Sequence, residues 1–268
     1  MGWVRGRDFL SSLTPSLSLS LPLKIVSLVP SQTELLCDLG LRDRLVGVTR
    51  FCIHPHGLKR EKTIVGGTKN VKLDVVKALQ PDLIIGNREE NDKSQIEALA
   101  EQFPVWISDI DTLDDALDMI SAIGDLTGTA NNAANLIYHI NAAFDNLTLQ
   151  TAQHPRRRAA YFIWRKPYMV AASGTFINDM LQRAGFDNVF GHLSRYPEIS
   201  PDMLAQTSPT VILLSSEPYP FKTKHLAEFQ TICPQARVQL VDGEMFSWYG
   251  SRLLPAAAYL SRLNYTNT

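Results

Sequence analysis

Apolar positions recur along the chain at two spacings that alternate with each other. Lys24–Val29 is a β-branched apolar run closed by Pro30 and predicts a strand. Ser31 follows at a helix N-cap position with Glu34 three residues on, the spacing of a capping box. Leu35, Leu36 and Leu39 then form an apolar stripe that Gly40 ends. Leu45–Thr49 predicts a strand, Leu73–Leu79 a short helix stopped by Pro81, and Leu83–Ile85 a buried strand. Ser94–Phe103 predicts a helix and Val105–Ile107 a strand. Leu113–Leu126 predicts a helix whose Asp114 and Asp115 complement the dipole of its first turn. The rhythm breaks at Thr129, where a single helix is expected to about Leu149, with Ala133, Leu136, Ile137, Ile140, Ala143, Phe144 and Leu147 on one face. After the polar stretch around Pro155 the alternation resumes. Strands are expected at Ala159–Trp164, Val211–Leu214 and Val238–Val241, and helices at Phe176–Ala184, Asp202–Gln206, His225–Thr231 and Ser251–Leu263.

The second half repeats parts of the first. Leu35-Leu36-x-x-Leu39-Gly40-Leu41 matches Met180-Leu181-x-x-Ala184-Gly185-Phe186 at an offset of 145 residues. The block from Asp74 through Pro81 to Ile85 matches the block from Asp202 through Pro209 to Leu213 at an offset of 128. Ordered blocks with the same internal spacing point to duplication. Strands alternating with helices imply parallel sheets. The expected fold is therefore α/β, with two similar βα lobes joined by one long backbone helix. The expected boundaries are an N-terminal extension over 1–22, a first lobe over 23–128, a linking helix over 129–153 and a second lobe over 154–268. A ligand is expected outside the carboxyl ends of the strands, in a cleft between the lobes.

Composition narrows the class. The 268 residues carry 26 basic and 27 acidic side chains, a net charge of −1, which argues against a dedicated nucleic-acid binder. Hydrophobic residues are 45% and charged residues 20%, ordinary globular usage. Three cysteines, Cys37, Cys52 and Cys233, form no disulfide framework and no paired zinc motif. Residues 1–22 place Arg5 and Arg7 before a Leu/Ser tract. Pro15, Pro22 and the alternating serines deny it a continuous apolar core, so an extended segment with an edge strand at Leu17–Leu21 is expected, with a secretory signal as the alternative.

No nucleophile elbow, Walker loop, dinucleotide fingerprint or H-E-x-x-H occurs. Cys52-x-His54-x-His56 would put three metal-ligand types on one face of a strand, although Pro55 interrupts it; a buried Cys with two partly solvated His is the alternative. Phe51, Trp164, Tyr168, Tyr196, Phe246, Trp248 and Tyr249 fall at expected loops or strand ends, with Arg165 and Arg252 beside them. Such a set suits a large, flat, partly apolar ligand, with the arginines at its polar edge. Asp74 and Asp202 are matched across the repeat at helix starts. They complement the helix dipole or present one acid per lobe to a basic partner.

Lys24 to Leu36, with its Pro30-Ser31-Gln32-Thr33-Glu34-Leu35-Leu36, Asp43 to Thr49, and Ala78 to Ile85, with its Gln80-Pro81-Asp82-Leu83-Ile84-Ile85, resemble the helical-backbone substrate-binding proteins of ABC importers. The likeness covers about residues 23–263 and is greatest to the cobalamin branch, with haem and iron–siderophore relatives. It implies a non-catalytic protein that delivers a cobalt or iron chelate to an ABC permease dimer. The chelate would be cobalamin, haem or a ferric siderophore, with no covalent cofactor and no resident metal. It further implies a monomer in the periplasm or cell envelope. A cytoplasmic location is the alternative, since the family is exported and residues 1–22 are a poor export signal. Position by position, Phe51 matches the first aromatic pocket loop, where Tyr is common. Thr68 stands where the cobalamin branch has a pocket Trp. Trp164 and Tyr168 match a second-lobe pocket strand, beside which Arg165 lies. Tyr196 matches another pocket aromatic, and Trp248, Tyr249 and Arg252 a C-terminal pocket segment. Asp74 and Asp202 match two acids, usually Glu, that dock onto permease arginines. Two further readings stay open: a metal-dependent enzyme built on Cys52, His54 and His56, and a cytoplasmic corrinoid or chelate sensor on the same fold.

Overall fold

The structure is a computed structural model that describes residues 21–265. The segment before them, with all but the last residue of the expected Leu17–Leu21 strand, lies outside the described residues. The chain divides into two compact units. The described residues of the first are 21–110, 114–138 and 249–252; those of the second are 111–113, 139–248 and 253–265. The helix Ala130–Thr151 runs through the division. Ala133, Ile140, Phe144 and Leu147 are its buried positions, at the spacing of one helical face.

The first unit holds an all-parallel sheet in the order β3-β2-β1-β4-β5. Its strands are β1 (Ile25–Ser27), β2 (Leu45–Val48), β3 (Thr63–Ile64), β4 (Leu83–Asn87) and β5 (Val105–Ser108). β1 and β4 are buried at every residue, as strands covered on both faces must be. Val26, Leu28, Val65, Val76, Ile84, Ile96 and Leu99 form the core. The first helix is Pro30–Asp38. Ser31 does not cap it: the N-cap is Val29, because Pro30 supplies the preset φ of a first helical residue. No side chain caps the helix; the buried Thr33 hydroxyl donates back to the Val29 carbonyl oxygen at 2.9 Å, beside the backbone bond from Thr33 N.

The second unit has a six-stranded sheet in the order β11-β10-β6-β7-β9, with β8 also paired to β6. These strands are β6 (Arg157–Arg165), β7 (Tyr168–Val170), β8 (Phe186–Asn188), β9 (Glu198–Ile199), β10 (Val211–Ser215) and β11 (Arg237–Val241). β6, β10 and β11 run parallel, while β7 folds back antiparallel to β6. Phe162 meets Phe229 at 4.7 Å between ring centroids in a core with Val170, Leu204, Ile212 and Leu214. Burying one such ring stabilises the fold by roughly 1.5–3 kcal/mol.

The repeat is visible in the backbone. Helices Leu73–Leu79 and Pro201–Thr207 end in left-handed residues, Gln80 (φ 46°) and Ser208 (φ 45°), each followed by a proline and then by β4 or β10. The helices before Gly40 and Gly185 both stop at a positive φ, 89° and 80°. Ser200 caps its helix as the sequence predicts, its side-chain oxygen accepting from Met203 N at 3.1 Å.

Candidate functional site

In the first unit the loops at the carboxyl ends of the strands carry the expected residues. Phe51 follows β2 and is 52% exposed, with the Arg50 guanidinium carbon 5.6 Å from its ring centroid. Gly66 (φ 115°) turns the chain after β3. A Cβ there would lie 2.4 Å from the Asn70 carbonyl oxygen, so no other residue fits. Thr68 is half-buried, and its carbonyl accepts from Asn91 Nδ2 at 3.0 Å. A buried polar network supports this end of the sheet. Asn87 Nδ2 and Gln32 Nε2 both donate to Ser108 Oγ, at 3.0 and 2.6 Å, and Asn91 Oδ1 accepts from Asn87 N. Sequence reasoning missed Arg50 and this network. The Asn87–Asn91 polar run directly after an apolar strand is the signal that marks it.

The Cys52, His54 and His56 segment is a loop, so strand alternation does not place the three side chains on one face. The Cys52 thiol is buried 3.1 Å from Thr33 Oγ1 and 3.2 Å from Thr49 Oγ1, and burial pushes its pKa up. Among the described residues no group of three or more His, Cys, Asp or Glu is placed to hold a metal ion.

Arg252 also belongs to the first unit. Its Nε and Nη2 donate to the two Glu34 oxygens at 2.9 and 2.5 Å, with side chains only 13% and 16% exposed. Burial raises the Glu34 carboxyl while the Arg252 charge opposes it. The guanidinium is thus engaged by the protein itself. Tyr249 is 6% exposed.

In the second unit Trp164, near the carboxyl end of β6, is 39% exposed and meets the Tyr219 ring at 5.6 Å. Arg165 donates twice to Glu228 Oε2, at 2.9 and 2.7 Å, and Tyr168 donates its hydroxyl to Glu228 Oε1. Burial raises the Glu228 carboxyl, but hydrogen bonds from Arg165 and Tyr168 outweigh it and hold it below the usual carboxylate range. Burial, together with the Glu228 contact, pushes Tyr168 up to about 12. Tyr196 precedes the edge strand β9 with the Arg195 guanidinium 5.7 Å from its ring centroid. Trp248 is only 8% exposed, and its indole N–H donates to Glu217 Oε1 at 3.0 Å. Asp74 and Asp202 are both exposed in the first turns of the equivalent helices Leu73–Leu79 and Pro201–Thr207.

The sequence profile of the periplasmic binding protein family matches residues 25–231. The chain belongs to this family. It is accordingly a binding protein of the α/β class with two lobes and one long connecting helix, not an enzyme, and the reading of Cys52, His54 and His56 as a catalytic metal centre falls. Among sequence relatives, the vitamin B12-binding protein of Vibrio cholerae serotype O1 is 27% identical over 209 residues, 76% of this chain and 75% of its own. The solved periplasmic vitamin B12 binding protein of Vibrio cholerae superposes with a TM-score of 0.79 at 22% identity, over 92% of this chain and 99% of its own. A periplasmic haem-binding protein from Pseudomonas aeruginosa gives 0.79 at 23% identity, over 92% and 94%. At these identities the solved structures establish the fold alone.

Proposed function

We propose that this periplasmic binding protein is the substrate-binding component of an ABC importer and captures a metal chelate of the corrinoid, haem or siderophore type outside the cytoplasm. The observation that carries this reading is the pair of rings left in water at strand ends, Phe51 at 52% and Trp164 at 39% exposure, one in each unit. Covering either ring with a flat apolar ligand contributes about 2 kcal/mol. The relatives' names, vitamin B12-binding and haem-binding, support a tetrapyrrole-type chelate. Thr68, Tyr168 and Tyr196 complete the proposed contact set, while Trp248 and Tyr249, 8% and 6% exposed, act as buried supports. Arg165 and Arg252 act in it as ion-paired supports for the loops rather than as free cations. Asp74 and Asp202, alike in position and exposure, are the proposed permease contacts. The protein works as a monomer that hands the chelate to a permease dimer.

A panel of cyanocobalamin, haemin and a ferric hydroxamate siderophore, titrated against tryptophan fluorescence of the full chain, tests the reading. Saturable quenching by at least one chelate is expected. Silence with all three would overturn it.

A further inference from the structure

The second unit contains one carboxylate whose environment the fold itself does not explain. Glu217 stands two residues beyond β10 and is mostly buried. Its Oε1 receives the Trp248 indole N–H at 3.0 Å and the Ser247 hydroxyl at 2.7 Å, the latter proton favouring the carboxylate over the Gly243 carbonyl at 2.9 Å. Both donors are neutral. Among the described residues no cation lies within ion-pair distance of Glu217, and its Oε2 accepts no hydrogen bond yet is not sealed from solvent. Two other half-buried glutamates are answered by arginine: Glu34 by Arg252 and Glu228 by Arg165.

The carboxylate is also held in place. Ser215 Oγ donates to the Glu217 carbonyl at 2.6 Å, and Tyr219 N donates to the Ile163 carbonyl at 3.2 Å. Those bonds pin the loop across the carboxyl ends of β6 and β10, and bring Tyr219 against Trp164. Gly243, after β11, clears the space: a Cβ there would lie 2.5 Å from Glu217 Cγ. One oxygen is therefore held by two donors that orient the group, while the other accepts no hydrogen bond, on the loop whose Tyr219 packs against the half-exposed Trp164 ring. Leaving a mostly buried acid without a cation costs stability, and proteins keep such costs at binding sites.

Resting on the proposed chelate-binding role, we infer that Glu217 is a specificity-determining acceptor, whose free oxygen takes N–H donors from the ligand's rim and selects chelates fringed with amides over those fringed with carboxylates. A corrinoid presents primary amides around its ring; haem presents two propionates. The amide N–H forms a charge-assisted bond with the carboxylate, whereas a propionate meets like charge in a place of low dielectric. Glu217→Gln keeps the shape and still accepts from Ser247 and Trp248, but removes the charge that discriminates.

Isothermal titration of the full chain with cyanocobalamin and with haemin, on wild type and E217Q, tests this. Wild type is expected to prefer cyanocobalamin. E217Q is expected to bind cyanocobalamin about tenfold more weakly, the gap between a charged and a neutral acceptor, while haemin binds equally well or better. Cyanocobalamin binding unchanged in E217Q would overturn the inference and leave the chelate-binding role standing. Equal losses for both ligands, with a lowered melting temperature, would make Glu217 a structural support and also overturn it. A wild type that prefers haemin overturns it as well. A wild type that binds neither chelate, nor the siderophore of the panel, overturns both readings together.

Discussion

Glu34, Glu228 and Glu217 are each partly buried, and their neighbours answer them differently. Arg252 grips Glu34 with two nitrogens, and Arg165 with Tyr168 holds Glu228. Glu217 has only neutral donors, and burial, with Glu244 and Asp242 adding to it, raises its carboxyl above the usual range. A group whose pKa is raised on folding contributes stability that is complete below its unfolded pKa and is lost as pH rises through the folded value. Wild type should therefore lose stability relative to E217Q between mildly acid and neutral pH. Thermal unfolding at pH 5 and pH 8 should show the advantage of E217Q growing with pH. Nearby Tyr161 and Tyr259, both also raised, stay neutral across that window. An E217Q variant that is destabilised alike at both pH values would contradict this account. None of these pairings is legible in the sequence: Glu34 and Arg252 lie 218 residues apart, and only the fold joins them. The arginines read as ligand contacts thus turn out to be bound to glutamates, and Trp248 and Tyr249 turn out to be buried.

The elements were more legible than their edges. Leu73–Leu79 matches its expected span, and the long helix, expected from Thr129 to about Leu149, runs from Ala130 to Thr151. Strong apolar periodicity and a proline stop leave few alternatives there. Short elements such as β3, β8 and β9 were not read, since two or three residues carry no period. Ser31 misled because a serine after proline imitates a cap, while Pro30 occupies the first helical position. Cys52 to His56 form the loop that Pro55 suggests, with the cysteine buried, because an alternation of residue types is not a strand without a partner strand. The turn after β3 offers the sharpest element-level test. Gly66→Ala must take φ 115° and meet the Asn70 carbonyl, and should cost about 1–3 kcal/mol in urea unfolding. The Phe51 and Thr68 loops rest on that turn, so chelate affinity should fall with stability. A variant as stable as wild type would show that the turn tolerates the strain.

Across the whole molecule, duplication was read from two spaced blocks and is borne out by matched helix ends at Gln80 and Ser208. Family membership follows from the profile match over 25–231. The two exposed acids, Asp74 and Asp202, belong to this scale because duplication places them in the same way on each unit. Replacing both with Ala should leave chelate affinity unchanged, since both are exposed in the first turns of their helices and neither belongs to the proposed contact set. It should weaken co-purification with a reconstituted permease by tenfold or more if each contributes a charge-assisted contact. Unchanged association would remove them from the docking surface.

The central claim, that the protein binds a metal chelate through the rings at its strand ends, is tested most directly by one calorimetric titration. Wild type, Phe51→Ala and Trp164→Ala are each titrated with the chelate that quenches best. The account predicts one-to-one binding by wild type with a negative heat-capacity change, as apolar burial requires. Each alanine variant should bind roughly ten- to thirtyfold more weakly, the loss of about 2 kcal/mol of ring coverage. Binding by wild type that neither substitution weakens would contradict it.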